Sequence, residues 1–538
     1  MHPKSSWRYI YNLLPVVLPF ILFLVHAWFF RDWIIDDAGI SFVYARNLSY
    51  GNGLVSQPGM DPVEGYSNFT WVLIMVPFFL LRIFDPIVIP KIISFILILI
   101  SFIMVQKTLK LLSKFADLAV FFVLTFLALN TSFVVWTTSG LENPLYIFLI
   151  SILLWQIIQL RDKGTYDIKR IMFISGLSAL CALTRPDGIV YVGIFPVFVC
   201  LDLLSGKYRA KQALGFLIPY VAVFILIYGS YIAFRYFYFG DFLPNTYYAK
   251  GRPPFSLDEL NGKITDLFSS VGLTIYSFMA LLLMFIYVGV KKGITRPYRS
   301  FILMFVITML AFFLLPFDWM GEYRFATPFV FLFYLFVFLT GEMVYQIPDR
   351  KLPAGVLLGI LALIFTGNSI GSFYVRSKIF AECPTVPFTQ VAENYGVRFN
   401  QYASEIGVEN GSYLGPDMGG TLYYSELKVY DLAGLTDKTI AKSFGNDDSL
   451  FFDYVFDTLK PTFIHTHDVW TYGANFDADP RFRQNYVAIN EIEDGWIHKY
   501  TGLTMFTGDY IRKDAIENQE AFLEIQSTSK PFSGWCPP

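Results

Sequence analysis

Eleven apolar runs of roughly membrane-spanning length occupy most of the first 373 residues. A bilayer restricts such runs to helices, because each helix satisfies its own backbone hydrogen bonds. Only 16% of the residues are charged, against roughly 25% in soluble domains. The net charge of −2 argues against nucleic acid as a partner. We therefore predict a polytopic α-helical protein of the lipid bilayer, with runs at 13–30, 88–106, 117–135, 144–160, 171–184, 188–204, 214–237, 268–290, 300–316, 327–346 and 353–373.

Basic residues cluster in alternate connections between these runs. By the positive-inside rule, those connections face the cytoplasm. This gives about eleven spans, with the N-terminus inside and the C-terminus outside. The clusters are Lys4 and Arg8 before the first run, Lys107, Lys110 and Lys114 after the second, Arg161, Lys163, Lys169 and Arg170 after the fourth, Lys207, Arg209 and Lys211 after the sixth, Lys291, Lys292, Arg296 and Arg299 after the eighth, and Arg350 and Lys351 after the tenth.

A further apolar stretch, 69–84, would disturb this alternation if it crossed the membrane. It is moderately short and is interrupted by Pro77. We interpret it as a helix that lies in, or dips into, the outer interface. Counted as a span, it would place the lysines after the next run on the outside.

Unusual polar residues fall in the connections assigned to the outer side. Asp36 and Asp37 directly follow the first span, where a charged pair is costly to place. Each residue alone is also explained as a solvated loop charge or a helix cap. As a set they predict one outer cavity shared by acids and bases. Its members are Asp36, Asp37, Glu64, Glu142, Arg185, Asp187, Asp241, Lys250, Asp318, Glu322 and Arg324.

Such a cavity suits glycosyl transfer from a lipid-linked sugar phosphate. A carboxylate acts as a general base toward an acceptor hydroxyl, and a fixed cation neutralises the charge that develops on a departing phosphate. The donor lipid would lie in the bilayer with its head group at the outer interface, and the acceptor would arrive from the water side.

Several motifs resemble the outer loops of bacterial GT-C glycosyltransferases, especially those similar to the mycobacterial terminal arabinofuranosyltransferase. They are DDAGISFVYARNLSYGNGLVSQPGMDPVEGYSNFTW, TTSGLENPLY, LTRPDG, FGDFLPNTYYAK, DWMGEYRFATP and, in the tail, YDLAGLTD. More distantly, the layout is similar to that of protein O-mannosyltransferases and lipid A aminoarabinose transferases. One departure is Val43, at a place where relatives often have an arginine, and a phosphate or sugar contact made there is expected to be absent.

The resemblance implies an inverting transferase that uses a polyprenyl-phosphate sugar, without a cofactor, in the bacterial cytoplasmic (inner) membrane. A close carboxylate cluster could instead hold magnesium, manganese or calcium, and we favour a site without a metal. Its acceptor would be an envelope glycan, lipid or protein. By position in the motifs, Asp36 would be the general base, Asp37 would orient it or bind the acceptor, and Glu142 would approach the same pocket. The implied substrate-binding residues are Lys250 and Arg324 for the donor phosphate, Arg185 third, and Glu64 and Asp318.

A polar tail follows the last run and predicts a second domain. Residues 1–373, with the first outer loop at 31–87, form the predicted membrane domain, and 374–538 form an extracytoplasmic α/β domain large enough for its own core. Its short strand-like runs include KVYDL and PTFIHTH. His465 and His467 suggest either metal ligands or a surface strand end, and we favour the strand end.

Two of the four cysteines, Cys383 and Cys536, lie in this tail. They predict a disulfide between the start of the domain and the chain end, with two free thiols as the alternative.

Two other classes of function fit parts of the sequence. A transporter or flippase of lipid-linked sugars would use the outer carboxylates for proton coupling, with ionisable residues near the midplane and inverted repeats. A non-catalytic assembly or receptor subunit would use the tail to bind glycan.

Overall fold

The computed structural model describes residues 4–251, 256–316, 318–347, 351–499, 501–532 and 534–536. These residues form two compact units. The first is built from Met1–Asp32, Ile87–Ala233 and Pro253–Glu382, and the second from Trp33–Pro86, Phe234–Arg252 and Cys383–Pro538. Most of the predicted first outer loop (31–87) therefore packs with the tail. The division into domains at residue 373 stays a prediction.

The first unit is helical. Apolar side chains cover its helices because lipid, like a protein core, provides no partner for polar groups. The helices are Lys4–Ala27, Val88–Leu112, Ala116–Leu129, Thr131–Thr137, Asn143–Lys163, Ile168–Thr184, Ile194–Leu204, Ala210–Phe224, Ser230–Phe239 (which runs on into the second unit), Leu257–Ser269, Ile275–Lys292, Arg296–Leu314, Thr327–Tyr345 and Lys351–Glu382.

Eight helical segments within the described residues are long and apolar enough to cross a membrane. They are Asn12–Phe30, Val88–Leu112, Asn143–Lys163, Pro186–Leu204, Ala210–Phe239, Ile275–Lys292, Arg296–Leu314 and Arg324–Tyr345. A ninth is the pair Ala116–Leu129 and Thr131–Thr137, bent by 74°. The bend falls at Asn130, whose side chain caps the second helix by accepting the N–H of Phe133 at 2.8 Å.

The predicted helical membrane architecture is confirmed, with differences in detail. The predicted run 171–184 lies in the 17-residue helix Ile168–Thr184, and 353–373 lies in the longer helix Lys351–Glu382. The predicted start of the eighth run at residue 268 is wrong. A turn precedes the helix, with Gly272 at a φ of +69°, and the Thr274 hydroxyl accepts the N–H of Ser277.

The apolar stretch 69–84 forms the helix Phe69–Leu80 of the second unit. Its 12 residues extend for about 18 Å at 1.5 Å per residue, well short of a hydrocarbon core of about 30 Å. This length agrees with an interfacial element, whose position in the membrane stays a prediction.

The second unit contains a five-stranded sheet with the order β2-β1-β3-β5-β4, and the predicted α/β character of the tail is confirmed. The strands are β1 (Ser412–Gly415), β2 (Lys428–Asp431), β3 (Phe463–Thr466), β4 (Tyr486–Ile497) and β5 (Thr504–Arg512). Strand β1 is parallel to β2 and β3, whereas β5 is antiparallel to β3 and β4.

Helices surround this sheet and contribute apolar side chains to its core. Leu414 and Ile464 of the sheet pack with Phe456, Phe476 and Phe482 of the helical connections. The helices of the unit, besides Phe69–Leu80, are Asp36–Ser49, Asn245–Ala249, Phe388–Val391, Arg398–Ile406, Met418–Tyr424, Lys438–Ser443, Asp448–Asp453, Asp468–Ala474, Pro480–Asn485 and Gln519–Thr528.

The predicted disulfide between Cys383 and Cys536 is confirmed, with the two Cα atoms 5.0 Å apart. It joins the first residue of the tail segment to the end of the described chain, a sequence separation of 153 residues.

Loss of this bond is expected to destabilise the second unit. In the chain-entropy model, a loop of about 150 residues gives roughly 3–5 kcal/mol. Cys383→Ser and Cys536→Ser should therefore lower the apparent melting temperature equally, and the double variant should fall no further. Cys200→Ser is the control, because Cys200 is an exposed free thiol. Unequal effects of the two single variants would contradict a shared bond.

Candidate active site

Asp36 and Asp37 begin the helix Asp36–Ser49, where carboxylates are favoured by the helix dipole. The helix starts here because Ile35 is extended and forms a β-bridge with Pro387. The N–H of Asp36 donates to the carbonyl of Val386 at 3.0 Å. Asp36 is buried and Asp37 is half-buried.

Two backbone amides hold the Asp36 carboxylate. Gly419 N–H donates to Oδ2 at 2.8 Å, and Gly420 N–H donates to Oδ1 at 2.6 Å. Both glycines are needed for this close approach. A Cβ on Gly419 would overlap the Asp36 backbone carbonyl, and one on Gly420 would lie 2.6 Å from the Phe388 carbonyl oxygen. This glycine pair was not predicted from the sequence, where its only local signal is the dipeptide Gly-Gly after Asp417-Met418.

The environment raises the pKa of Asp36 well above its ordinary value. Burial is the largest cause and the negative charge of Asp417 the second, while the two glycine amides oppose the shift. A carboxylate with a raised pKa takes up a proton more readily near neutral pH than an exposed one. That property is required of a general base.

Glu64, a predicted substrate-binding residue, is paired with Arg235. The guanidinium of Arg235 donates to both carboxylate oxygens, from Nε at 2.5 Å and from the second amino group at 3.1 Å. Both side chains are buried. Arg235 was not predicted as a site residue, although it is the one charged residue in the apolar run 214–237. A charge in such a run indicates a specific partner.

Asn245 joins three of the family-like motifs within the second unit. Its N–H donates to the carbonyl of Glu64 at 3.0 Å. Its side-chain amide donates to the carbonyls of Gly434, Leu435 and Asp437 in the motif YDLAGLTD. Lys250 lies just beyond the helix Asn245–Ala249 and is exposed.

A second polar cluster lies in the first unit around Arg185. This guanidinium donates to Glu142 at 2.8 Å and to Asp187 at 2.9 Å. Tyr146 donates its hydroxyl to the other oxygen of Asp187 at 3.1 Å. The three charged side chains are nearly fully buried. Burial alone would lower the pKa of Arg185, but the charges of Asp187 and Glu142 outweigh it and raise that pKa above its ordinary value.

The same cluster extends to Asp318 and Arg324, which form an ion pair at 3.3 Å. The ring of Phe325 lies between the two arginines, 5.2 Å from the guanidinium of Arg185 and 4.5 Å from that of Arg324. The structure therefore brings four predicted site residues together in the first unit: Glu142, Arg185, Asp318 and Arg324. The prediction of one cavity for all the polar residues stays a prediction.

The expectation that His465 and His467 form a surface strand end is wrong, because both are buried. Their neighbours on the sheet explain the burial: His465 pairs across β3 and β5 with Asp509. Within the part of the chain that the structure describes, no group of three or more His, Cys, Asp or Glu side chains is arranged to hold a metal ion.

Comparison with known proteins gives structural relatives and no sequence relatives. No family model matches the chain, and no curated protein matches it by sequence. It is similar to the oligosaccharyltransferase AglB of Archaeoglobus fulgidus, solved with an inhibitory peptide and a dolichol-phosphate. That match has a TM-score of 0.55 and 11% identity, and it covers 94% of this chain and 75% of the other.

A second similar structure is ArnT from Cupriavidus metallidurans bound to undecaprenyl phosphate. Its TM-score is 0.51 at 11% identity, over 92% of this chain and 97% of the other. Identities this low are evidence for the fold alone. The chain therefore has the fold of the GT-C membrane glycosyltransferases.

Proposed function

We propose that the protein is an inverting glycosyltransferase that moves a sugar from a polyprenyl-phosphate donor to an acceptor hydroxyl. The observation that carries this proposal is the Asp36 carboxylate, which accepts hydrogen bonds from the amides of Gly419 and Gly420. In the sequence, Asp36 follows the first span of a chain with the GT-C fold. The raised pKa of Asp36 suits a general base. The neighbouring Asp37 is half-buried and is proposed to orient the acceptor.

In the proposed reaction, Asp36 takes the proton of the acceptor hydroxyl. The acceptor oxygen forms a bond to the anomeric carbon from the face opposite the phosphate. The bond between that carbon and the phosphate oxygen breaks, and polyprenyl phosphate leaves with the electron pair. Displacement from the opposite face inverts the anomeric configuration.

The donor phosphate is proposed to meet Arg324 or Lys250, with Arg185 third. The lipid phosphates in the two similar structures support this donor class. In the cluster around Arg185 and Arg324, three carboxylates (Glu142, Asp187 and Asp318) face two guanidiniums. A phosphate that binds there must therefore replace or neutralise a carboxylate.

The proposed function also includes a location and an acceptor. We place the protein in the bacterial cytoplasmic membrane with the second unit on the outer side. The acceptor is an envelope glycan, lipid or protein. Basic residues cluster in alternate connections between the apolar runs. By the positive-inside rule those connections face the cytoplasm, which supports this orientation.

The direct test is reconstitution of the purified protein in nanodiscs with a panel of polyprenyl-phosphate pentoses and hexoses. Release of free polyprenyl phosphate, dependent on an added acceptor, is the expected result. In sealed proteoliposomes, movement of intact donor across the bilayer without cleavage would instead establish a flippase. Binding of glycan without either activity would establish a receptor subunit.

Removal of the phosphate-binding cation is expected to weaken donor binding and slow transfer together. A charged group that stabilises a developing anion typically contributes about 10²–10³-fold in rate. We expect Arg324→Ala or Lys250→Ala to show this loss in kcat/KM for the donor. Lys428→Ala is the control, because Lys428 is also an exposed lysine of the second unit. Normal donor use by both variants would place the phosphate elsewhere.

A further inference from the structure

Two oxygen atoms beside Arg324 have no hydrogen-bond partner within the described residues: Oδ1 of Asn143 and Oδ2 of Asp318. Both atoms are buried. Asn143 is 2% exposed, and the side chain of Asp318 is 10% exposed. A buried oxygen without a partner destabilises a fold, because it has lost its contacts with water and gained none in exchange. Such atoms therefore indicate a ligand or a buried water that supplies the missing hydrogen.

The hydrogen bonds of Asn143 fix which end of its amide is left over. Its Nδ2 donates to the hydroxyl oxygen of Thr327 at 3.1 Å and to the carbonyl of Arg324 at 3.4 Å. The Thr327 hydroxyl donates its own hydrogen to the same carbonyl at 2.7 Å. A flipped amide would place Oδ1 against the carbonyl oxygen, which has no hydrogen to give. Oδ1 is therefore the atom that lacks a partner.

Asp318 uses one carboxylate oxygen and leaves the other. Its Oδ1 forms the ion pair with Arg324 at 3.3 Å and accepts the N–H of Met320 at 3.4 Å. Asn143 thus contacts the carbonyl of Arg324, and Asp318 contacts its guanidinium. The two oxygens without partners belong to residues that flank one arginine.

The loop that presents Arg324 is held in a strained conformation. Glu322 and Tyr323, directly before it, have φ of +44° and +54°, in the left-handed region that side chains rarely adopt. Contacts with other helices keep the loop in place. The Glu322 carbonyl accepts the indole N–H of Trp136 at 2.9 Å, and its carboxylate accepts the Nε–H of Arg376 at 3.3 Å. Backbone strain of this kind is concentrated at active sites and ligand clamps.

The missing partners must be hydrogen-bond donors, and this identifies the chemistry of the ligand. An ionised phosphate presents acceptor oxygens only, so it cannot partner either atom. A sugar ring presents hydroxyl groups, each of which donates one hydrogen. Of the parts of a polyprenyl-phosphate sugar, only the sugar therefore suits Asn143 and Asp318.

We propose that Asn143 and Asp318 bind hydroxyl groups of the donor sugar and thereby select which sugar the protein transfers. The inference deepens the proposed function and rests on it. It adds a sugar site to the phosphate site proposed at Arg324 or Lys250. A buried site that hydrogen-bonds a hydroxyl discriminates strongly against an analogue without it, because the polar group of the site is then left unpaired.

Binding of lipid phosphates with and without a sugar tests the proposal separately from turnover. The full chain in nanodiscs is titrated with polyprenyl phosphate and with the panel of polyprenyl-phosphate pentoses and hexoses. We expect at least one sugar-bearing lipid to bind more tightly than the bare lipid phosphate. Asn143→Leu should weaken that lipid about 10-fold, the effect of one lost buried hydrogen bond, and leave the bare phosphate unchanged. The Arg324 carbonyl keeps the Thr327 hydroxyl as its donor in this variant.

Asn130→Leu is the matched control, because Asn130 is a buried asparagine of the same unit whose amide is fully engaged. Its Oδ1 accepts the N–H of Phe133, and its Nδ2 donates to the Ser270 carbonyl and the Tyr334 hydroxyl. That variant should lower the melting temperature but change the affinities for the two kinds of lipid by the same factor. A purely structural role of Asn143 would give this same pattern and would overturn the proposal.

The second test uses monodeoxy analogues of the sugar-bearing lipid that binds best. In the unaltered protein, loss of the hydroxyl that contacts Asn143 should weaken binding, and Asn143→Leu should remove that difference. Asp318→Asn should reduce the corresponding difference for a second hydroxyl, since asparagine keeps one oxygen for Arg324 and replaces the anionic Oδ2 with an amide N–H₂. Coupling of each variant to one deoxy position is the signature of a direct contact.

The outcomes separate this inference from the proposed function. Equal affinity for every sugar-bearing lipid and the bare phosphate would overturn the inference, and the two oxygens would then be sites for water alone. Sugar transfer that both variants leave unchanged across the panel would also overturn it, while the proposed function would stand. Sugar-dependent binding that Asn143→Leu abolishes, in a protein that transfers no sugar, would reject the proposed function and leave the sugar site standing.

Discussion

Asp36→Asn is expected to lower the rate of sugar transfer by about 10²–10⁴-fold, the typical contribution of a general base. The structure adds a second effect. The Asp36 oxygens accept N–H groups from Gly419 and Gly420, and an asparagine would turn one of its own N–H₂ donors toward an amide donor. Stability is therefore also expected to fall, by about 1–3 kcal/mol for the unsatisfied buried group.

Two comparisons separate the chemical effect from the structural one. Asp32→Asn changes an exposed carboxylate just upstream and should behave as the unaltered protein. Asp37→Asn should reduce transfer less than Asp36→Asn, mainly through KM for the acceptor. A larger loss of kcat in the Asp37 variant would move the base to Asp37, and unchanged turnover in both variants would refute a role for the pair.

Gly419→Ala is expected to destabilise the second unit strongly and to abolish transfer. The added Cβ would overlap the backbone carbonyl of Asp36, and backbone atoms in the first turn of a helix cannot move aside. The turn must then separate from Asp36 and lose both amide hydrogen bonds. Overpacking of this kind typically costs about 1–3 kcal/mol, and more where backbone is involved.

Thermal unfolding in detergent, together with donor turnover, measures this effect. Gly262→Ala is the control, because a Cβ at Gly262 meets open space in the helix Leu257–Ser269. That variant should be neutral or slightly more stable, as alanine favours a helix over glycine. A stable and active Gly419→Ala protein would show that the amide contacts to Asp36 are dispensable.

Much of the fold follows from local sequence patterns. Apolar runs predict helices because the bilayer leaves no alternative, and the short strand-like runs in the tail predict strands. Two details were not predicted: the bend at Asn130 and the late start of the helix after Thr274. In each case a single capping side chain sets where the helix begins. Such caps act over three residues and are invisible in a hydropathy average.

The site contacts were harder to predict because they join distant parts of the chain. Arg235 and Glu64 are separated by 171 residues, and Gly419 and Asp36 by 383. Neither periodicity nor loop charge specifies such pairs. The exposure of the two histidines was predicted wrongly for a related reason. A short polar strand is typical of an exposed position, and the burial of this one depends on Asp509, which lies in a strand later in the chain.

The second unit is assembled from three separate segments, 33–86, 234–252 and 383–538, and this has a consequence for biosynthesis. At about 5–20 residues per second, the Asp36 helix is made long before the Gly419 turn. In the meantime its carboxylate has not yet met the two amides. Truncation before residue 419 would yield an inserted chain in which Asp36 lacks both amide donors, and expression of 374–538 alone would lack the helix against which that turn packs. The Asp36 carboxylate thus meets its two amide donors only after Gly419 and Gly420 have been synthesised.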